Sequence, residues 1–346
     1  MRPWIDIDTL LAPDRATPPP SGIEIGRSRE GRPLVGHRFG TGPRAVSLIA
    51  GCHADEPVGP AMLDRLAGHL ASLPADDRAL VAWSWHLVPH ANPDGEAKNR
   101  SWTENAFDVP GGDLGRQLDL FAYLQGAVRE LPGDDVEFGF PRDEDDREAR
   151  PENRAIADFL LPAGPFALHA SFHGMAFAAG PWFLIEHGWA DRTQVQRDRL
   201  RSEVRALGYG LHDVDRGGDK GFHRIDEGFT SRPDSRAMVA HFQALGDLET
   251  AALFRPSSME WVRSLGGDPL TLVSEMPLFT APASFYRGGD VVRPRALSEL
   301  RAFALSADSS SLTAKATEIG VAAMPLRDQM RLQIEFLLAG LDAVVG

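Results

Sequence analysis

Residues 45–56 read Ala-Val-Ser-Leu-Ile-Ala-Gly-Cys-His-Ala-Asp-Glu, and the change of character along this stretch decides the fold. Residues 45–50 (AVSLIA) form an apolar run of strand length that Gly51 ends. A run without polar alternation fits a strand covered on both faces, as in parallel sheets. Residues 57–73 follow with Met62, Leu63, Leu66 and Leu70 at helical spacing. The same alternation recurs outward. Residues 79–88, 166–172, 182–185 and 270–273 read as buried strands. Residues 151–161, 192–207, 235–254 and 324–345 repeat at helical spacing. Helical connections between apolar strands predict an α/β fold. The expectation is a mixed, largely parallel central sheet flanked by helices in a single domain. Residues 1–25 are a lead and 26–346 the domain. Such sheets gather their chemistry at the carboxyl ends of the strands.

Bulk composition narrows the function. The chain has 346 residues, 43% of them hydrophobic, enough for a large core, and a formal net charge of −13. An acidic surface argues against nucleic acid or an anionic membrane as partner. Cys52 is the one cysteine, so an intrachain disulfide and a cysteine zinc ribbon are both excluded. The N-terminal residues carry acids where a secretory signal has an apolar stretch. No apolar run approaches the roughly 20 residues that span a bilayer. The expectation is a soluble, cytoplasmic chain. Residues 17–21 (TPPPS) read as a stiff connector, and residues 143–148 (DEDDRE) as a solvated loop.

The candidate chemistry begins where the first strand stops. His53 and Glu56 stand three apart at a strand-to-helix turn, a spacing that lets an imidazole and a carboxylate meet one cation. Residues 166–173 (FALHASFH) supply a third ligand at His173, followed by Gly174. His169 is the alternative, four residues earlier on the same face. Two histidines and a glutamate leave an open position, the pattern of catalytic zinc. Cys52 reads as a small buried residue and Asp55 as a solvated or capping acid. Glu275, after the strand at residues 270–273, is the candidate general base.

Together these residues resemble the M14 family of zinc carboxypeptidases from about Gly26 to Phe279. Gly31-Arg32-Pro33-Leu34, residues 51–56, Asn92-Pro93-Asp94-Gly95, Ser171-Phe172-His173, residues 257–261 and residues 270–275 resemble the family's segments in order. The resemblance implies one zinc per chain on His53, Glu56 and His173, with Glu275 as general base and then acid. Two histidines and one glutamate are also the general zinc set of a carboxypeptidase, so this assignment leans on analogy as well as on spacing. Arg100 resembles the arginine that polarises the scissile carbonyl. Residues 112–116 (GDLGR) resemble the family's Asp-x-Asn-Arg motif. Asp113 would then orient His53, and Arg116 would grip a substrate carboxylate. Gly115 departs from the motif's Asn, and both Asn99-Arg100 and Arg142 stand as alternatives for the arginine. The family's closing tyrosine has no match, with Phe254 or Arg255 near its place. Met259 falls where the floor of a side-chain pocket would be. Residues 216–234 look inserted, with His223, Arg224 and Asp226 as candidate rim residues.

Three readings follow. The first is a metallocarboxypeptidase acting on a peptide or amide next to a carboxylate. The second is a deacylase of small N-acyl amino acids, as in the aspartoacylase and desuccinylase branch. The third is a non-catalytic relative that binds carboxylates. Oligomeric state stays open.

Overall fold

The computed structural model describes residues 4–12, 19–107, 116–143, 145–287 and 294–346. Its strands are β1 (Ile23–Arg27), β2 (Pro33–Phe39), β3 (Arg44–Ala50), β4 (Trp83–Val88), β5 (Leu168–Ala178), β6 (Trp182–Ile185), β7 (Arg224–Asp226), β8 (Phe229–Ser231), β9 (Leu270–Thr280) and β10 (Ala322–Ala323). They form one ten-stranded mixed sheet in the order β1-β2-β4-β3-β5-β9-β6-β8-β7, with β10 beside β9. The centre, β4-β3-β5-β9, is parallel. Antiparallel pairs flank it at β1–β2, β2–β4 and β6–β9.

The residues of β3 show why it is apolar throughout. Val46, Leu48 and Ala50 enter one core cluster with the helices Val58–Ser72 and Leu326–Val345. Ala45 and Ile49 enter a second cluster on the opposite face with Ile156, Phe159 and Trp261. Both faces are dry, so periodicity gives way to a continuous run. Met330, Ile334, Leu337 and Leu341 of the C-terminal helix are buried in the first cluster. No helix among the described residues is long and apolar enough to cross a membrane.

Several expected boundaries move. Residues 79–82 belong to a short helix, Arg78–Ala82, whose N-cap Asp77 accepts from Ala79 N, so the strand begins at Trp83. Residues 235–254 divide into helices Ser235–Ala244 and Leu248–Leu253, broken where Gly246 takes φ 77°. β5 and β9 run on past His173 and Glu275 rather than ending there. Within the acidic run, Glu144 lies outside the described residues, as do Thr17 and Pro18 of the connector. Asp146 is no solvated acid, since it accepts from Arg142 N and ion-pairs with Arg255.

The helix Val58–Ser72 crosses β5 so closely that a Cβ on Gly59 would stand 2.7 Å from the Phe172 carbonyl oxygen. In an exposed helix Gly→Ala stabilises by about 1 kcal/mol through propensity. Here the backbone contact wins. Gly59→Ala is expected to destabilise by about 1–3 kcal/mol, as overpacking does, measured as a lower urea midpoint. A rise in midpoint would show that the helix can lift off the sheet.

Candidate metal centre

The register of the central strands builds the site. Ala50 of β3 pairs with Phe172 of β5, the last pair before β3 stops. His173 is therefore the first β5 residue beyond that edge, and it pairs on its other side with Glu275 of β9. At the end of β3 the chain turns at Gly51, φ 70°, and folds back so that Glu56 N donates to the His53 carbonyl. This turn drops both side chains onto the step left by β5.

The side chains converge there. Glu56 Oε1 lies 2.8 Å from His53 Nδ1, and Glu56 Oε2 lies 2.9 Å from His173 Nδ1. The two Nδ1 atoms are 3.2 Å apart. Ligand atoms of His53, Glu56 and His173 all fall within 4.8 Å of one another. The outer nitrogens are also held: His53 Nε2 is 3.4 Å from Asp135 Oδ2, and His173 Nε2 is 2.7 Å from Ser171 Oγ and 3.1 Å from Glu137 Oε2. Such outer contacts fix ring orientation around a metal.

Electrostatics favour positive charge at this point. Burial and Arg129 oppose a proton on His53, yet Glu56 and Asp135 hold it up to about 10. Burial also lowers His173, and Glu137 and Glu56 carry it well above its usual value. A divalent cation meets the same demand with neutral imidazoles. Cys52, Glu137 and His173 form a second compact set. Burial and Glu137 push the Cys52 thiol well up.

His169 is placed quite differently. It sits inside the sheet opposite Ser47, with Nδ1 2.7 Å from Ser47 Oγ and Nε2 3.0 Å from Ser258 Oγ. Burial and Arg232 press it down to about 3, so it stays neutral and structural. Glu275 faces a cavity of about 750 Å³ that also touches His53, His173 and Arg129. Burial and Glu56 raise its carboxyl, His173 and His53 pull it back, and it settles at about 7. That value suits a group that must take and return a proton.

The arginines differ from the expectation. Arg100 is exposed on the helix Pro93–Phe107 and lines a second cavity of about 420 Å³, which meets the first at His53. The structure brings Arg129 to the cluster instead. Its Nη1 lies 2.8 Å from Glu56 Oε1 and 3.1 Å from Asp55 Oδ1, and Nη2 lies 3.1 Å from His53 Nδ1. Asp55 is thus buried and paired rather than solvated. Asn99 is structural: its amide donates to the Val128 carbonyl and its oxygen accepts from Val128 N, both at 2.8 Å. Asn92 donates to Glu130 Oε1 at 2.8 Å. Asn92 of the Asn-Pro-Asp-Gly turn and Asn99 of the helix that follows thereby clamp Glu130 and Val128 on either side of Arg129. Asp94 of the same turn accepts from Arg32, which joins it to the Gly-Arg-Pro segment.

Asp113 lies outside the described residues, with Gly115 and the rest of that motif up to Arg116. Arg116 is exposed, accepts from Leu326 N through its carbonyl, and does not line the main cavity. Arg142 is exposed beside Asp146. The carboxylate at the outer nitrogen of His53 is Asp135. Counting on from it, Glu137 and Phe138 occupy the places where an Asp-x-Asn-Arg motif has Asn and Arg. Met259 lies in the cavity against Trp182, Leu184 and Val273. Of the inserted segment, Arg216, Lys220 and Phe222 form the rim. His223, Arg224 and Asp226 do not: Arg224 pairs with Asp213, and Asp226 with Arg201. Tyr286 and Phe254 also line the cavity. Sequence reasoning missed Arg129, Asp135, Arg216 and Tyr286. Of the Asp-x-Asn-Arg motif residues 135–138 keep only the Asp, which is why its spacing gave no usable signal.

Two outcomes follow. His173→Ala should remove most bound zinc, whereas His169→Asn should keep it and lose stability; zinc content after dialysis with the melting midpoint checks both, and loss of zinc from both variants equally would refute the division. In the second cavity, His90 bridges Asp64 at 2.9 Å and Glu96 at 2.7 Å. Burial lowers its pKa, but Asp64 and Glu96 raise it from 6.5 to about 10. The raised folded value means the contribution is full below pH 6.5 and is lost as pH rises through about 10. The stability gap between wild type and His90→Asn should shrink across that window in urea unfolding, and a gap independent of pH would exclude a charged His90.

The model of the zinc carboxypeptidase family matches residues 19–230. A carboxypeptidase E from Caenorhabditis elegans is 33% identical over 176 residues, 43% of this chain and 36% of that protein. The chain therefore spans about a third of that relative's length. Among solved structures, a metallo-carboxypeptidase from Burkholderia cenocepacia is 16% identical, with 98% of this chain and 66% of that one covered at a TM-score of 0.43. Carboxypeptidase A from Helicoverpa armigera is 14% identical, with 93% and 69% covered at 0.44. With more than half of its length matched by the family model, the chain belongs to the zinc carboxypeptidase family, M14.

Proposed function

We infer that this protein is a zinc-dependent metallocarboxypeptidase that hydrolyses a peptide or amide bond next to a substrate carboxylate. The observation that carries this reading is the convergence of His53 Nδ1, Glu56 and His173 Nδ1 at a cavity that Glu275, the strand neighbour of His173, also lines. His53, Glu56 and His173 would hold one zinc, which supplies a Lewis acid that acidifies water and polarises a carbonyl. Glu275 takes the proton released by water as it attacks and returns it to the leaving amine. Arg129, held through its chain neighbours by the bonds of Asn99 to the Val128 backbone and of Asn92 to the Glu130 carboxylate, faces the oxygen on which negative charge develops. Asp135 and Ser171 keep both imidazoles turned with Nδ1 inward. Met259, Trp182 and Val273 give the leaving residue an apolar bed.

Glu275→Gln should keep zinc and lose turnover roughly 10²–10⁴-fold. Arg129→Ala should cost roughly 10²–10³-fold in kcat. Arg100→Ala should change kcat little. Steady-state kinetics on short peptides and on N-acyl amino acids, with zinc content measured in parallel, checks all three. Full turnover in zinc-loaded Glu275→Gln would sink the mechanism, and turnover of N-acyl amino acids alone would move the chain to the deacylase reading.

A further inference from the structure

The main cavity holds a guanidinium, Arg216, that no carboxylate pairs with directly, although Glu275 and Asp219 attract it from further off. Arg216 lies 4.3 Å from the Phe222 ring centroid and 4.9 Å from that of Trp182, which themselves stack at 5.2 Å. Its Nε is buried without a hydrogen-bond partner, and no carboxylate of the described residues lies within 4.0 Å of it. The acids of its own segment are engaged elsewhere. Asp213 holds Arg224, Asp215 accepts from Gly217 N, and Asp219 pairs with His241. Lys220, two residues beyond the Gly217-Gly218 turn, also lines the cavity in a left-handed conformation, φ 54°. A buried guanidinium N–H without a partner is costly unless something binds it.

Its position says what that is. Trp182 pairs in register with Glu275, so Arg216 stands over the strand neighbour of the proposed base. Beneath it lies the apolar bed of Trp182, Leu184, Met259 and Val273. Phe138, which stands two residues beyond Val136 where a motif arginine is expected, lines the cavity without charge. We propose that Arg216 is the anchor for a carboxylate of the leaving residue, presented from the inserted segment rather than from the Asp-x-Asn-Arg position. Stacking on two rings pre-sets the planar fork that a carboxylate binds with two parallel hydrogen bonds. The carboxylate has two sources with the same chemistry, the C-terminal α-carboxylate or an acidic side chain.

This inference rests on the peptidase reading, and binding separates the two. Zinc-loaded Glu275→Gln, which holds substrate without turnover, is titrated calorimetrically with four N-acyl dipeptides. They end in phenylalanine acid, phenylalanine amide, glutamate amide and glutamine amide. One acid should bind about tenfold or more tighter than its neutral partner, the worth of one charge-assisted pair. The phenylalanine pair reports the α-carboxylate and the glutamate–glutamine pair the side chain. Adding Arg216→Met, which keeps an apolar stem against the rings, should erase the preference at unchanged zinc content and melting midpoint, and Arg216→Lys should restore part of it. A preference that survives Arg216→Met, or no preference in either pair, overturns the proposal. If wild type cleaves no peptide while the preference still depends on Arg216, the peptidase reading fails and the anchor stands. If wild type cleaves peptides and Arg216→Met keeps the preference, the reverse holds.

Discussion

The site depends on one difference in strand length. β3 stops at Ala50, paired with Phe172, while β5 and β9 continue side by side to Ala178 and Thr280. That mismatch leaves a step at the carboxyl edge of the sheet. His173 is the first residue on it, and Glu275 stands next to it in register. Had β3 run three residues further, Gly51, Cys52 and His53 would be hydrogen-bonded into the sheet and the turn that carries Glu56 would form away from His173. Because side chains alternate along a strand, a one-residue slip between β5 and β9 would turn Glu275 to the opposite face from His173. Buried contacts on both faces of the sheet hold that register.

Around this step the protein assembles charge in two shells. Glu56 lies between two imidazoles, and Asp135 and Glu137 back them from outside. Arg129 balances Glu56 and Asp55 from the cavity side. The surplus of negative charge next to buried nitrogens calls for a cation, and the cavity beyond gives a substrate room to reach it. The clamp built from Asn92, Asn99 and Glu130 matters because an arginine on a long stem loses rotamer freedom when it is aimed, and a fixed backbone reduces that loss.

Part of the site was legible in particular residues. His53 and Glu56 could be read from one turn, because three residues after a buried strand admit few geometries. Glu275 was legible as an acid against an apolar strand, though the strand proved to continue past it. His173 over His169 was a choice about where a strand ends; the register and the serines at 47 and 258 show where each histidine is held. The arginines were not legible. Arg100 and Arg129 lie within 30 residues of each other with equal chemistry, and only the clamp on Val128 brings the second one inward. In sequence the Asp-x-Asn-Arg motif fits residues 113–116 better than 135–138, where only the Asp remains, so the carboxylate beside the outer nitrogen of His53 could not be read from it.

What the sequence determined by itself is the local order: apolar runs covered on both faces, the helices between them, and a turn that presents a histidine and a glutamate together. These are properties of neighbours, set by periodicity and by a glycine that accepts positive φ. What only the tertiary structure decided is which distant residues meet at that turn. His173 and Glu275 are 102 positions apart and adjacent because two parallel strands share a register. Arg129, Asp135 and Arg216 reach the cavity from loops whose own residues carry no periodic signal. Their places follow from buried hydrogen bonds and ring contacts made only when the sheet is closed.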